Sequence, residues 1–167
     1  MSLEAAYNEA GPKIVGYLAA TGTDEATARD LLHDAVVRVA KWLGENRGAE
    51  PDVSALLFAT ARNLRANRVR DDAKIEFVGD AREGDARRSA SDAGLPASDA
   101  VYLRSRICAA LRELPDALRE AYVLYQVGGR SVREVAEMTG ASEGLVKVRL
   151  HRAKNSLRKS LADWKEK

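Results

Sequence analysis

The sequence predicts an all-α protein made of two small helical domains joined by a flexible linker. Aromatic residues make up only 5% of its 167 residues and charged residues 31%, with alanine and leucine at short spacing, a composition that favours helices. Residues 79–98 contain almost no large apolar side chains and therefore cannot offset their ordering entropy by burial. We expect one domain over residues 1–73, the linker over 74–98 and a second domain over 99–167.

The first two helices follow from turn and capping signals. One helix is predicted over residues 3–20, ending near Thr21–Gly22. A second is predicted from Asp24 to Leu43, with Thr23 as N-cap and Gly44 as its stop. Apolar residues recur along it at three-to-four spacing, which predicts one broad buried face. These residues are Ala28, Leu31, Leu32, Ala35, Val36, Val39 and Trp42.

A third helix is predicted from Val53 to Arg70, after a loop over Gly44–Asp52 that contains two glycines and a proline. Its apolar residues are Leu56, Leu57, Ala61, Leu64 and Val69. It also carries a polar strip of arginines and amides: Arg62, Asn63, Arg65, Asn67, Arg68 and Arg70. Such side chains suit base edges and phosphates, although an ordinary solvated helix face explains the strip equally well at this stage.

The C-terminal domain opens with a helix predicted from Asp99 to Leu114, with Ser98 as a candidate cap. Pro115–Asp116 marks a break and a restart, with the proline suited to the first turn of the next helix. That helix is predicted from Asp116 to Val127 and closed by Gly128–Gly129. This domain is therefore expected to hold four helices, of which the last two are the most informative.

A helix-turn-helix is predicted over residues 131–161. Gly140 can take the left-handed conformation needed between the helices, and Ser142 is the N-cap candidate for the second. The first helix has Val132, Val135, Ala136 and Met138 on its apolar face, and the second has Val146, Leu150, Ala153 and Leu157. The opposite face of the second helix is predicted to be basic, with the single acid Glu143 against Lys147, Arg149, Arg152, Lys154, Arg158 and Lys159. This combination predicts a helix that lies in the DNA major groove.

Charge is distributed unevenly along the chain. The formal net charge is only +2, but residues 100–167 hold 14 basic and 8 acidic side chains, whereas residues 1–73 hold 9 and 11. The positive segment coincides with the helix-turn-helix. This asymmetry indicates a nucleic-acid partner for the C-terminal domain and a different kind of partner for the other.

Several function classes find no support in the sequence. Cys108 is the one cysteine, which excludes an internal disulfide and the usual zinc clusters. There is no phosphate-binding glycine loop, HExxH or CxxC motif, and His33 and His151 lie on helices of different domains. We therefore expect no enzyme activity, no metal and no cofactor. With no apolar run of about 18 residues and no signal peptide, we expect a soluble cytoplasmic protein without membrane contact.

The chain resembles the extracytoplasmic-function (ECF) sigma factors, the minimal two-domain members of the sigma-70 family. The segment LRELPDALREAYVLYQVGGRSVREVAEMTGASEGLVKVRLHRAKNSLRKSL, residues 111–161, is similar to the family's region 4. The segment ARDLLHDAVVRVAKW, residues 28–42, resembles region 2.2, and LLFATARNLRANRVR, residues 56–70, resembles the region that melts and reads the −10 element. The resemblance implies a promoter-specificity factor that binds core RNA polymerase and directs initiation at −35/−10 promoters.

The resemblance also implies roles for individual residues. The residues implied to dock on the polymerase β′ coiled coil are Asp30, Leu31, His33, Asp34, Val37 and Arg38. The residues implied to contact the −10 element are Arg62, Asn63, Arg65, Asn67, Arg68 and Arg70. The loop from Gly44 to Ser54 lies where members of the family capture a flipped base. The residues implied to contact the −35 element are Lys147, Val148, His151, Arg152 and Lys154. The residues implied to hold phosphates are Arg130, Arg133 and Ser142. Val148 offers only apolar contact, for instance to a thymine methyl.

The resemblance implies three partners: core RNA polymerase, promoter DNA and an anti-sigma factor. On the polymerase, the contacts are the β′ coiled coil and the β flap. The acidic linker would run through the RNA exit path, and the free protein is expected to be a monomer. One alternative is a free-standing regulator of the LuxR or GerE type that binds paired half-sites as a dimer. Another is an interaction protein that occupies polymerase or a regulator.

Overall fold

The computed structural model describes residues 1–78 and 99–165, and these residues form seven α-helices with no strand among them. The helices are α1 (Leu3–Ala20), α2 (Glu25–Glu45), α3 (Val53–Val78), α4 (Asp99–Glu113), α5 (Asp116–Gln126), α6 (Val132–Thr139) and α7 (Glu143–Lys165). They fall into two compact units, α1–α3 and α4–α7. The predicted all-α class is confirmed. The candidate cap Ser98 and most of the predicted linker, residues 79–98, lie outside the described residues.

The N-terminal unit is held together by an apolar core to which all three helices contribute. Tyr17 of α1 and Phe58 of α3 are fully buried, with ring centroids 5.5 Å apart and planes tilted by 53°. Such tilted aromatic pairs are favoured over face-to-face stacking. Around them lie Ile14, Leu18, Ala28, Leu32, Ala35, Val39, Leu57 and Ala61, all buried.

Two residues expected on buried faces of this unit are exposed instead. Trp42 is 38% exposed and Val69 54% exposed. Both fit the three-to-four spacing, but each lies towards the C-terminal end of its helix. The last buried residue of α2 is Val39, and the last one of α3 is Ala61 among the α3 residues up to 74, whose side chains the structure describes. Periodicity identifies a face of a helix, whereas the length of helix that is covered depends on its neighbours.

The N-cap of α2 is Asp24, not Thr23 as predicted. The Asp24 carboxylate accepts a hydrogen bond of 2.9 Å from the Thr27 backbone N–H. The same N–H, the Thr27 hydroxyl and the charge of Arg68 hold the pKa of Asp24 below its ordinary value. A carboxylate at a helix N-terminus is also favoured by the helix dipole. The helix continues through Gly44, the predicted stop, and ends with Asn46 as its C-cap.

Replacing Asp24 by alanine is expected to destabilise the N-terminal unit by about 1 kcal/mol, the usual cost of a lost N-cap. Thr23→Ala, one residue away, is the matched control and should change stability very little. Because the pKa of Asp24 is lowered in the folded state, its contribution is present above the ordinary carboxyl pKa and is lost as pH falls through the folded value. Urea unfolding at neutral and acidic pH measures both effects, and equal losses for the two variants would contradict the assignment.

Helix α3 is longer than predicted. It was expected to end at Arg70, with the linker starting at residue 74, but it continues to Val78. Residues 71–78 contain charged and apolar side chains but no glycine or proline, and the next glycine is Gly79. Charged side chains on an exposed helix surface do not stop a helix, whereas glycine does so readily. Residues 75–78 (IEFV), whose composition is β-like, are part of this helix.

The C-terminal unit is organised around α7, which packs against α4, α5 and α6. The predicted α7 stripe of Val146, Leu150, Ala153 and Leu157 is buried, which confirms it. Leu111 of α4, Leu114 directly after α4, Val123 and Leu124 of α5, and Val135 of α6 are buried in the same unit. Helix α7 therefore has one side fixed in the core and the other side free for a partner.

Arg119 joins the end of α4 to the start of α5. Its Nε donates to the Leu111 carbonyl at 2.9 Å, and one Nη donates to the carbonyls of Leu114 at 2.9 Å and Arg112 at 3.2 Å. The guanidinium thus provides donors for carbonyls at and directly after the C-terminus of α4, of which that of Leu111 also accepts from the Leu114 backbone N–H at 3.2 Å. Pro115 is the N-cap of α5 and not a first-turn residue as predicted, and it makes no side-chain cap hydrogen bond.

Candidate nucleic-acid interface

The helix-turn-helix formed by α6 and α7 has caps at the start of α6, at the end of α6 and at the start of α7. At the start of α6 the Ser131 hydroxyl accepts from the Glu134 backbone N–H at 3.2 Å, while the Glu134 carboxylate accepts from the Ser131 N–H at 2.7 Å. Gly140 closes α6 in the left-handed region, with φ of 68°. The Ser142 hydroxyl then accepts from the Leu145 N–H at 3.1 Å. The predicted conformations of Gly140 and Ser142 are therefore confirmed.

The exposed side of α7 is a largely uncharged stripe with cations on either side of it. Successive residues are about 100° apart around a helix, so the side opposite the buried stripe carries Gly144, Val148, His151 and Asn155, all exposed. On one flank lie the exposed residues Lys147, Lys154 and Arg158, and on the other Arg152 and Lys159. Cations on both sides of a neutral stripe suit a helix inserted between the two phosphate backbones that border a groove.

The five −35 residues predicted on α7 are all exposed on this surface. Val148 is 45% exposed and its neighbour Leu145 43% exposed. The Asn155 amide nitrogen lies 3.1 Å from His151 Nε2 one turn earlier. Lys154 Nζ lies 5.7 Å from the centre of the Tyr125 ring, a cation–π contact that links α7 to α5. The structure therefore brings Lys147, Val148, His151, Arg152 and Lys154 together on the accessible part of one helix.

The three residues predicted to hold phosphates occupy different environments. Arg133 is exposed and its Nε lies 3.1 Å from the Glu137 carboxylate. Ser142 is exposed at the start of α7. Arg130 is 9% exposed, with its guanidinium 3.2 Å from Glu134 and 3.3 Å from the Gly128 carbonyl. These contacts give Arg130 a structural role, bracing the segment that enters α6.

The six predicted −10 residues of α3 do not form one continuous strip. Asn63, Asn67 and Arg70 are exposed on one side of the helix, and Arg70 donates a hydrogen bond to the Asn67 side-chain oxygen. Arg62 and Arg65 are half-buried. Arg68 is exposed but near enough to Asp24 for its charge to lower the pKa of that carboxyl. The two asparagines and Arg70 are thus the members most accessible to a single strand.

The predicted docking residues of α2 are exposed with one exception. Asp30, His33, Asp34, Val37 and Arg38 lie on the side of α2 away from the core, and Val37 is 68% exposed. A large apolar side chain so exposed among charges is typical of a protein-binding surface. Leu31 is only 5% exposed and belongs to the core, so it supports this surface from beneath.

Trp42 and Arg119 are two residues whose environments the sequence did not predict. Trp42 was assigned to the core because of its spacing, yet its exposure makes it available for partner contact beside Arg38 and Lys41. Arg119 carried no recognisable signal, because an arginine in the first turn of a helix is usually a surface residue. Neither position could be assigned without knowing which carbonyls and side chains the fold places around it.

No helix within residues 1–78 and 99–165 combines the length and apolar character that crossing a membrane would demand.

Comparison with known proteins identifies the family. Residues 104–157 match the family described as Sigma-70, region 4. The chain is 31% identical over 157 residues to the RNA polymerase sigma factor CarQ of Myxococcus xanthus. The match covers 91% of this chain and 84% of CarQ. It is 25% identical over 165 residues to the RNA polymerase sigma factor YlaC of Bacillus subtilis (strain 168), covering 99% of this chain and 95% of YlaC.

The fold is shared with solved structures, including the following two. One is the sigma factor RpoE in complex with the anti-sigma factor NepR from Bartonella quintana, with a TM-score of 0.74 and 22% identity over 95% of this chain and 96% of that one. The other is CnrH in complex with the cytosolic domain of CnrY, with a TM-score of 0.67 and 22% identity over 96% and 88%. Together with the sequence matches, the fold confirms that the chain belongs to the sigma-70 family of RNA polymerase sigma factors, as a member of its extracytoplasmic-function group and a promoter-specificity factor.

Proposed function

We propose that this sigma factor divides promoter recognition between its two units. The C-terminal unit, residues 99–167, reads the −35 element as duplex through α7. The N-terminal unit, residues 1–73, docks on core RNA polymerase through α2. It contacts the melted −10 element through α3 and the segment from Gly44 to Ser54, which includes the loop between α2 and α3. The residues between them connect the two contacts.

The observation that carries this proposal is the arrangement of α7. Its four core residues hold it by one side, so the opposite side projects from the unit. The DNA major groove is about 12 Å wide and admits one α-helix. Within it Val148 meets a thymine methyl, Arg152 pairs with a guanine edge or a phosphate, and Lys147 and Lys154 neutralise backbone phosphates. A positively charged helix held in this way makes binding steeply dependent on salt.

The accessible polar residues of α3 support the −10 assignment. Asn63, Asn67 and Arg70 present amide and guanidinium groups together, and these groups hydrogen-bond to unpaired bases and to phosphates. Neither DNA contact needs to be strong by itself. Once α2 is docked on polymerase, each contact becomes effectively intramolecular and raises the occupancy of the other.

The experiment that tests the proposal is mapping of transcript 5′ ends made by purified core polymerase on genomic DNA, with and without this protein. New starts that share a two-part upstream motif are the expected result, and they give the −35 and −10 preferences together. New starts with a −10 motif alone would contradict the role of α7. Absence of new starts, with dimeric binding to duplex sites instead, would contradict the division as a whole.

Arg152→Ala is expected to reduce transcription from the mapped promoters by at least about tenfold, the scale of one lost base-pair contact, while core binding is retained. Arg106→Ala removes the same charge from an exposed position on α4 and serves as the control. Transcription and core affinity are measured in parallel for both variants. Loss of core binding by the Arg152 variant would show that α7 does not act mainly on DNA.

We further propose that an anti-sigma factor holds this protein inactive. The support is that the RpoE and CnrH structures were both determined as complexes, one with an anti-sigma factor and one with the cytosolic domain of CnrY. Purification of the tagged chain from its source cells, with and without added core polymerase, tests this. A stoichiometric partner that core polymerase displaces is expected, and recovery of the chain only with polymerase would contradict it.

A further inference from the structure

Gly144 is a glycine within a helix, on its exposed surface. It is the second residue of α7, exposed, and one turn before Val148 on the stripe that faces away from the core. Glycine weakens a helix relative to alanine because it loses more backbone freedom on folding. An exposed glycine within a helix therefore calls for a physical reason.

The fold itself supplies no such reason. Gly144 has an ordinary helical φ, unlike Gly140, whose φ of 68° requires glycine. A Cβ placed on Gly144 would meet no atom within 4 Å, whereas one on the buried Gly11 would lie 3.5 Å from the Leu32 side chain. Alanine would fit at position 144 without strain, so both the conformational and the packing explanations fail.

We propose that Gly144 is a positioning residue for −35 recognition, because its bare Cα lets the backbone of α7 approach duplex DNA more closely than any side chain would allow. The N-terminal residues of a recognition helix are those that face base edges, and glycine is used where backbone must approach a ligand closely. The first turn then lies deep enough for Val148 and Arg152 to reach the bases. A methyl group at position 144 would hold the whole turn away from the groove.

This inference rests on the proposed role of α7, and it predicts opposite changes in stability and in function. Gly144→Ala should raise the thermal midpoint of the full chain, because alanine favours the helix. The same variant in holoenzyme should lose at least about tenfold in transcription from promoters mapped with the wild-type protein, comparable to losing one base-pair contact. On templates whose −35 element has been replaced, the variant and the wild type should transcribe equally.

Ser156→Ala is the matched control, since it makes the same kind of helix-favouring change at an exposed position of α7 away from the stripe. It should leave transcription unchanged. Wild-type activity of Gly144→Ala, a lowered thermal midpoint, or an undiminished loss on templates lacking the −35 element would each overturn the inference. If the wild-type protein itself shows no −35 dependence, the proposed role of α7 fails before the variants are compared.

Discussion

Replacing Arg119 by methionine is expected to destabilise the C-terminal unit by about 3 kcal/mol, since hydrogen bonds to a charged group contribute roughly 1.5–3 kcal/mol each and the carbonyls left behind are partly buried. The Arg119 side chain is only 18% exposed, and it donates to three carbonyls at the end of α4. Methionine keeps most of the apolar stem, so the loss reports the guanidinium. Urea unfolding and amide hydrogen exchange in α4 and α5 measure it.

Two controls separate the hydrogen bonds of Arg119 from its charge. Arg119→Lys keeps the positive charge near the C-terminus of α4 but not the fork of donors, so it should recover only part of the loss. Asp116→Asn removes the ion pair of 3.2 Å to Arg119, in which Asp116 is 96% exposed. Exposed pairs contribute about 0–1 kcal/mol, so that variant should be near wild type. A lysine variant as stable as wild type would show that charge, and not carbonyl capping, is what matters.

The sequence predicted those parts of the fold that depend on local chemistry. Gly140 and Ser142 were assigned correctly because a left-handed turn and an N-cap are properties of a few neighbouring residues. The buried stripe of α7 followed from helical periodicity. Since these local features determine the orientation of α7, its exposed side could be predicted as well.

The features that the sequence did not predict depend on distant contacts or on competition between similar residues. Leu31 and Arg130 belong to segments that resemble functional regions, yet the fold buries both. Thr23 and Asp24 are both good caps, and only the backbone geometry selects the second. The carbonyls that Arg119 caps belong to a different helix, a contact that no periodic pattern reveals.

The two surfaces differ in the kind of recognition that they suit. On α7 a neutral stripe lies between cations, which matches a groove bordered by phosphates. On α2 the exposed Val37 lies among acidic and basic side chains, and mixed charge around an apolar centre suits a protein partner. The physical contrast between these helices therefore agrees with one unit that reads duplex DNA and another that docks on polymerase.

Asp34→Arg is expected to weaken binding to core polymerase by at least about 100-fold, because placing like charges together across an interface costs several kcal/mol. Asp34 is exposed near the middle of the α2 surface, one turn before Arg38 and close to Val37. The substitution touches no buried group, so thermal unfolding of the free chain should be unchanged. Binding is measured by titrating labelled protein with core polymerase.

Glu9→Arg provides the control for Asp34→Arg, because it changes the net charge by the same amount at an exposed position on α1 of the same unit. It should bind core polymerase normally, whereas Asp34→Asn should lose an intermediate amount by removing attraction without adding repulsion. This order of effects, with stability constant, assigns the docking surface to α2. Equal weakening by the Glu9 and Asp34 reversals would instead show a response to overall charge, and normal binding by Asp34→Arg would place the docking surface elsewhere on the unit.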